Sequence, residues 1–272
     1  MNKETQHQEE SHQVIETPEN FFRDVEIEFL IHELKDPMSI IETGLRTLLE
    51  RQDKYGSLTS RQQKTLKRTL RNSKKARQML NNLLEIGRSE AGCFICCRFQ
   101  PAESAYQALK DSLETVAGSI FEEFRNCDSE GEAKEFLFKS GIVLDVDPKA
   151  AKTEMFQDEV KFRQIIGNLI KNALHHRQRR IEIKMELDND QLVTEVIDDG
   201  PGIDPEHHDL IFKRYAQVKE CSIIPRKGHG LGLAGALILA RCLRGNIQIN
   251  SEKGQGATFR LTLPLSLDSV QK

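Results

Sequence analysis

Residues 196–203 read Val-Ile-Asp-Asp-Gly-Pro-Gly-Ile, which predicts a strand that ends in a glycine turn. A carboxylate at the end of a strand can accept a hydrogen bond from an adenine amino group. Gly200 and Gly202 would let the backbone approach the ring because they carry no Cβ. In isolation the same residues are also typical of an ordinary surface turn. The choice between the two interpretations depends on the motifs on either side.

Two further motifs lie in order around this turn. Asn168 and Asn172 are four residues apart, so a helix would place them on one face. Amide oxygens are suitable Mg²⁺ ligands where phosphates complete the octahedron. The run Gly228-His229-Gly230-Leu231-Gly232 opens a helical pattern, and N–H groups at a helix start can bind phosphate. Together the motifs predict a site for ATP and Mg²⁺.

A histidine near the N-terminus fits this chemistry. His32 lies two residues from Leu30 and two from Leu34. Each step turns a helix by about 200°, so His32 is predicted to point away from the apolar seam of those leucines. A neutral imidazole in solvent is a competent nucleophile near pH 7, and Glu33 could take its proton. Without an ATP site downstream, His32 would be interpreted as an ordinary surface histidine.

Two long amphipathic helices are predicted before the nucleotide motifs. Apolar residues recur at three- and four-residue steps over residues 21–51 and again over about 59–89, with a turn at 53–57. One such hairpin cannot bury its apolar seam alone. A homodimeric four-helix bundle is therefore the expected arrangement.

The rest of the chain alternates between helical and strand patterns. Helices are predicted over 102–125, 161–174 and 231–243, a loop over 126–135, and strands over 141–146, 180–187, 192–197, 247–250 and 258–263. We therefore expect an α+β fold: a helical-hairpin dimerisation domain followed by an α/β sandwich with helices on one face of a mixed sheet.

The predicted organisation has five parts. They are a disordered tail (1–20), a dimerisation and histidine phosphotransfer domain (21–90), a linker (91–101), a catalytic ATP-binding domain (102–266) and a C-terminal tail (267–272).

Composition limits the classes of function. The net charge of −3 argues against a nucleic-acid binder that works by neutralising phosphates. No apolar run approaches the roughly 18 residues needed to span a bilayer, and the polar first ten residues do not resemble a signal peptide. We therefore expect no nucleic-acid partner, no membrane span and a cytoplasmic location.

The cysteines admit two interpretations. The chain has six, which should be reduced thiols in the cytoplasm, and Cys93, Cys96 and Cys97 form a cluster. Cys93-x-x-Cys96 has redox or metal spacing, but no second such pair follows. We expect small apolar residues of a strand here, with a redox-sensing thiol as the alternative.

The motifs in this order resemble the cytoplasmic kinase core of bacterial two-component sensor histidine kinases, over about residues 21–266. The corresponding segments are the H-box (32–37), the N-box (168–173), the G1 box (198–202), the F-box (211–215), the G2 box (228–233) and a closing glycine motif (254–258), with Asp158 upstream of the N-box where the family often has an Asp.

The resemblance implies a Bergerat-type (GHKL) ATP-binding fold and an ATP-dependent protein-histidine kinase. His32 would be autophosphorylated with Glu33 as its general base, Asn172 would ligate Mg²⁺ and Asp198 would bind adenine. The other residues expected at the nucleotide are Asn168, His175, Gly200, Gly202, Phe212, Gly228, Gly230, Leu231, Gly232 and Thr258.

The resemblance also implies partners. The phosphoryl group would pass to an aspartate of a response regulator receiver domain, and the active form would be a homodimer. No sensor domain is expected within these residues, so a separate upstream sensor protein acting in trans is a candidate partner.

Three positions depart from the family pattern. Ile31 replaces a small residue, and Asp36, one helical turn from His32, replaces a Thr or Asn that supports phosphatase activity, which puts that activity in doubt. His175 and His176 stand where the family often has a Lys, which predicts tighter ATP binding at pH 6 than at pH 8. These departures favour the alternative function of a catalytically weak pseudokinase that acts as a nucleotide-binding scaffold. An ATPase of the chaperone or topoisomerase kind is disfavoured because it does not need the His32 hairpin.

Overall fold

A computed structural model describes residues 27–90, 94–213 and 232–267. The predicted tail at 1–20, Cys93, Gly228, Gly230 and Leu231 lie outside the described residues, as do residues 268–272. The chain divides into two compact units, residues 1–70 and 71–272. This division falls before residue 90, where the sequence analysis ended the first domain, and the boundaries of the functional domains stay a prediction.

The described part of the chain before residue 91 is mainly helical. It forms α1 (Ile27–Glu50), α2 (Gln52–Tyr55) and α3 (Ser60–Glu90). Thr59 caps α3 because the Gln62 amide donates to its Oγ1 (3.3 Å), while the Thr59 amide donates to Gln62 Oε1 (2.9 Å). The two predicted long helices are confirmed over the described residues, and the predicted turn between them includes the short α2.

The second unit is built on a five-stranded mixed sheet. The strands of the whole unit, five in this sheet and two in a separate pair, are β1 (Cys97–Phe99), β2 (Ile142–Val146), β3 (Met155–Gln157), β4 (Ile181–Asp188), β5 (Gln191–Asp198), β6 (Asn246–Ser251) and β7 (Ala257–Pro264). The sheet has the order β2-β4-β5-β7-β6, in which β2 and β4 are parallel and the other neighbours are antiparallel. β1 and β3 form a separate antiparallel pair.

A layer of helices packs on this sheet. The helices are α4 (Pro101–Val116), α5 (Gly118–Arg125), α6 (Glu130–Lys139), α7 (Pro148–Ala151), α8 (Glu159–His176) and α9 (Gly232–Cys242). α8 lies between α4 and α9 and contacts β5. Its apolar face is fully buried through Phe162, Ile165, Ile166, Leu169 and Ile170. The predicted α/β sandwich is confirmed, since a layer of helices packs on a mixed sheet. The amphipathic helix α8 supplies the centre of its core.

One predicted loop is a helix. Residues 126–135 were expected to be irregular, but α6 begins at Glu130. Ser129 Oγ accepts a hydrogen bond from the Glu132 amide (3.2 Å), and the Glu132 carboxylate accepts one from the Asp128 amide (2.8 Å). Ser-x-x-Glu before a helix is a capping signature, which the polar composition of this segment conceals in the sequence.

The cysteine cluster is only partly in a strand. β1 begins at Cys97, which is exposed, whereas Cys96 before it is half-buried. The expected packing of small apolar side chains therefore does not describe Cys97. The redox alternative stays a prediction, and Cys93 lies outside the described residues.

No helix within the described ranges combines the length and the apolar character that a membrane span requires.

A buried ion pair holds the start of α8. Asp158 accepts hydrogen bonds from the Lys161 amide (3.1 Å), the Lys161 ammonium (2.8 Å) and the Ile95 amide (3.1 Å). Lys161 Nζ also lies 5.2 Å from the centre of the Phe94 ring. Burial opposes ionisation of Asp158, but these hydrogen bonds outweigh it, so the pKa of the carboxyl lies below its ordinary value. Asp158 therefore links the segment after α3 to the helix that carries Asn168 and Asn172.

Asp158→Asn should destabilise the second unit by about 3 kcal/mol, because it leaves the buried Lys161 ammonium without this carboxylate. Urea unfolding at pH 7 measures the change. Asp111→Asn is the matched control: its ion pair with Arg163 is partly exposed, so we expect a loss below about 1 kcal/mol. Equal losses in the two variants would contradict the assignment.

Candidate functional site

Asp198 is the last residue of β5, and its side chain faces the helices. Thr194, Val196 and Asp198 alternate on the buried face of the strand, and Asp198 is only 5% exposed. The Gly200 amide donates a hydrogen bond to Asp198 Oδ1 (2.9 Å). Burial nevertheless dominates and raises the pKa of Asp198 to about 6. The residue is thus a buried acceptor at the end of a strand, as the adenine interpretation requires.

The neighbouring carboxylate has a different role. Asp199 Oδ1 accepts hydrogen bonds from the backbone amides of Gln178 (2.9 Å) and Arg179 (3.0 Å), just after α8. Burial opposes ionisation of Asp199, but the backbone hydrogen bonds prevail, so its pKa lies below the ordinary value. Asp199 therefore ties the end of β5 to the end of α8. The sequence motif alone does not separate the two roles.

The glycine turn is closely packed. A Cβ on Gly200 would lie 2.6 Å from both Asp198 Oδ1 and the carbonyl oxygen of His176. Gly202 has a φ of +70°, and a Cβ there would overlap the Glu252 carbonyl. The Gly254 amide also donates to the Pro201 carbonyl (2.6 Å). The turn is therefore held against the β6–β7 connection, beside Asp198.

Asn168 and Asn172 lie on α8 outside its buried face. Both are half-buried, and neither side chain has a hydrogen-bond partner among the described residues. Free amide oxygens at the edge of a packed helix fit the demands of an Mg²⁺ ion, which keeps most of its shell as phosphate and water. The predicted pair therefore presents oxygen ligands from a rigid element.

Two histidines end α8. His175 is exposed. His176 is exposed as well, but neighbouring atoms near the glycine turn partly desolvate its ring, which lowers its pKa, so its positive charge appears at a lower pH than that of an ordinary histidine.

The other predicted nucleotide residues do not all meet at Asp198. Phe212 packs edge-on against Phe259 of β7, with ring centres 6.4 Å apart. Gly232 begins α9, and within the described ranges no atom lies within 4 Å of a Cβ placed there. Gly228, Gly230 and Leu231 precede it and lie outside the described residues.

The structure does not bring Thr258 to Asp198. In β7, Ala257 and Phe259 are buried and Thr258 lies on the opposite face of the sheet. Thr258 lines a pocket of about 880 Å³ at the β6 edge, together with Glu195 and Arg260. Ala257 is instead the residue paired with Asp198 in the sheet register. The alternation of apolar residues in β7 was the signal that could have found it.

His32 belongs to the other unit. Its backbone is helical in α1, while its side chain lies outside the described residues. Glu33 and Asp36 are exposed. The structure thus places the predicted phosphate acceptor on a long helix, as expected.

Two family models match the chain. Residues 157–267 match the histidine kinase-, DNA gyrase B- and HSP90-like ATPases, and residues 27–92 match the His Kinase A (phospho-acceptor) domain. The chain belongs to the sensor histidine kinases. These two models place the phosphate-acceptor domain of a sensor histidine kinase on the helical hairpin and its ATPase domain on the sheet with α8 and α9.

Similar proteins with curated names include three sensor kinases. Sensor histidine kinase MtrB of Mycobacterium bovis is 33% identical over 188 residues, which cover 69% of this chain and 30% of MtrB. Autoinducer 2 sensor kinase/phosphatase LuxQ of Vibrio parahaemolyticus is 29% identical over 257 residues, covering 89% of this chain and 27% of LuxQ. Aerobic respiration control sensor protein ArcB of Escherichia coli is 39% identical over 113 residues, covering 40% of this chain and 14% of ArcB. The chain spans less than a third of the length of these relatives.

Solved structures of histidine kinases share the fold. Full-length ShkA in complex with AMPPNP has a TM-score of 0.63 at 21% identity, covering 88% of this chain and 45% of ShkA. Histidine kinase AdeS of Acinetobacter baumannii has a TM-score of 0.51 at 20% identity, covering 86% of this chain and 98% of AdeS.

If Asp198 is the adenine acceptor, its raised pKa predicts that adenine affinity falls as the pH drops below about 6. The carboxylate of Asp198 accepts a hydrogen bond, whereas its protonated form competes as a donor, so binding weakens by up to about tenfold per pH unit. The lowered pKa of His176 reduces the part of the opposite contribution that the sequence predicted from this residue. Calorimetric titration from pH 5 to 8 measures this, with adenosine in parallel because it lacks titrating phosphates. Tighter binding of adenosine at pH 5.5 than at pH 7.5 would contradict it.

Proposed function

We propose that the chain is an ATP-dependent protein-histidine kinase that autophosphorylates on His32. The observation that carries this proposal is the buried carboxylate of Asp198, which ends β5 beside a glycine turn. A buried acceptor with few protein partners matches an adenine amino group in geometry and chemistry. The kinase names of the relatives and the AMPPNP bound to ShkA support the same assignment.

The nucleotide would be held by three elements. Asp198 accepts a hydrogen bond from the adenine amino group, and the turn at Gly200 and Gly202 lets the backbone lie close to the ring. Asn172 offers its amide oxygen to Mg²⁺, with Asn168 close to the phosphates. The N-terminus of α9 at Gly232 would direct backbone N–H groups and the positive end of the helix dipole towards the triphosphate.

His32 supplies the nucleophile. Its neutral imidazole nitrogen bonds to the γ-phosphorus while the bond from that phosphorus to the β,γ-bridging oxygen breaks, and ADP leaves. Glu33, exposed on the same helix, accepts the proton released by the ring. Mg²⁺ supplies the positive charge that offsets the charge on the phosphates when it is bound.

The partners follow from the same chemistry. A phosphorylated histidine is a high-energy donor, and we propose that an aspartate of a response regulator receiver domain accepts its phosphoryl group. Leu34, Ile41 and Leu48 recur at seven-residue steps on one face of α1 and are exposed (49%, 47% and 38%). Apolar side chains at this spacing fit burial against a second copy in a four-helix bundle, which supports the proposed homodimer.

Incubation with γ-labelled ATP and Mg²⁺ tests the proposal. A kinase incorporates label that is acid-labile and base-stable, as expected of phosphohistidine. The alternative is a weak pseudokinase scaffold, which Asp36 and His175 favour. Such a protein would bind ATP in a calorimeter without incorporating label. Failure to bind any adenine nucleotide would exclude both functions.

A further inference from the structure

The solvent-facing side of α3 carries a positive charge that its own sequence does not balance. Between Asp53 and Glu85 the chain has nine Lys or Arg residues and no Asp or Glu. Six of the nine recur at three- and four-residue steps on the single helix α3 and are all exposed: Lys64, Lys67, Arg68, Arg71, Lys74 and Lys75. This spacing places them on one face, which we call the basic stripe. At 1.5 Å per residue the basic stripe is about 17 Å long.

The basic stripe has no counter-charge of its own. None of its six residues forms an ion pair with another residue of the described ranges. The opposite side of the helix differs, since Leu66 and Leu70 are half-buried and Ser73 is buried. Like charges three and four residues apart repel one another and weaken a helix, and they lie close enough for their potentials to add. A row of anionic groups along this face would therefore stabilise α3.

The chain before α1 has the complementary charge. Residues 1–26 contain seven acidic residues and only two basic ones. Residues 4–19, which we call the acidic segment, hold five of the acidic residues and neither Lys nor Arg: Glu4, Glu9, Glu10, Glu16 and Glu19. An extended chain of this length spans about 50 Å, so the acidic segment is long enough to follow the whole basic stripe.

We propose that the acidic segment binds along the basic stripe of α3. A single exposed ion pair contributes little, but a row of several pairs adds up. Because both partners belong to one chain, the effective concentration of the acidic segment at α3 is roughly millimolar. A separate polyanion, such as nucleic acid or an anionic lipid surface, would have to displace it and would also meet the net charge of −3 on the chain. The contact requires neither ATP nor phosphorylation.

Zero-length cross-linking of the full chain with a carbodiimide tests the contact, because the reagent joins a carboxylate to a lysine that touches it. At about 50 mM salt, mass spectrometry should find the acidic segment joined to the four lysines of the basic stripe. We expect these products at least about fivefold more often than products at Lys54 of α2 and Lys149 of α7, which are exposed lysines elsewhere. At about 500 mM salt the yield should fall at least about fivefold, because the Debye length shrinks to a few Å.

Two matched variants test the role of the basic stripe. Arg68→Gln/Arg71→Gln removes two of its cations and leaves every reactive lysine in place, so the yield of cross-links should fall about threefold. Arg125→Gln/Arg241→Gln removes two exposed arginines from the second unit and should cross-link like wild type. Circular dichroism shows whether each variant is folded, and the salt series on the wild-type chain needs neither.

Three outcomes would overturn the proposed contact. The first is a yield that is equal at all six lysines or does not change with salt. The second is cross-links from the basic stripe to carboxylates outside the acidic segment, which would assign it to another part of the chain. The third is binding of nucleic acid or anionic vesicles that Arg68→Gln/Arg71→Gln abolishes, without cross-links to the acidic segment, which would assign the basic stripe to an external polyanion.

Discussion

Asp198→Asn should weaken adenine-nucleotide binding at least a hundredfold and yet stabilise the nucleotide-free protein at pH 7. Asparagine places an amide donor where the adenine amino group needs an acceptor. Any rotation that turns its oxygen to adenine directs the amide group at the Gly200 N–H, which now donates to Asp198 Oδ1. The loss of binding thus combines a missing hydrogen bond with an unpaired buried donor.

The gain in stability follows from the pKa of Asp198. Its folded value of about 6 lies above the ordinary 3.8, so the native state holds the proton more tightly than the unfolded chain does. The contribution of this group to stability is therefore greatest below about pH 4 and is lost as the pH rises through 6. At pH 7 the ionised carboxylate costs on the order of 1–3 kcal/mol, which a neutral side chain avoids.

Urea unfolding at pH 7.5 and pH 4.5, with calorimetric titration of AMPPNP, measures both effects. The neighbouring Asp199→Asn is the control, because its expected change in stability has the opposite sign. Asp199 accepts backbone hydrogen bonds from Gln178 and Arg179 as a carboxylate, so its removal should destabilise the protein and affect nucleotide binding less than Asp198→Asn does. An Asp198→Asn protein that is less stable than wild type at pH 7.5 would contradict the account of a buried, costly charge.

His32→Ala should abolish incorporation of label from γ-labelled ATP while leaving the affinity for AMPPNP within about twofold. The expected loss is complete because the variant lacks the atom that forms the bond to phosphorus. His7→Ala, in the predicted N-terminal tail, is the matched control for adventitious labelling and should behave as wild type. Label that persists in His32→Ala would place the phosphate acceptor elsewhere.

Glu33→Gln tests whether Glu33 is the general base for His32. If Glu33 takes the proton of the ring, the variant should label about a hundredfold more slowly with unchanged nucleotide affinity, since general base catalysis contributes roughly that factor. Labelling at the wild-type rate would remove Glu33 from the mechanism and leave His32 as the sole reactive residue of α1.

Local spacing and periodicity account for what the sequence determined by itself. The two long helices, the pairing of β4 with β5, the shared face of Asn168 and Asn172, and the position of Asp198 at a strand end all follow from residues close together in the chain. Such features depend on short-range geometry, which the order of polar and apolar side chains specifies directly.

Only the tertiary structure determines which side chains of the candidate site contact one another and how their pKa values are shifted. The choice of Asp198 as the buried carboxylate and of Asp199 as the backbone acceptor depends on the end of α8, some 20 residues earlier in the chain. Ala257, not Thr258, pairs with Asp198 because of the β5–β7 register. Burial and register arise from contacts between distant segments, so the raised pKa of Asp198 appears only in the folded chain.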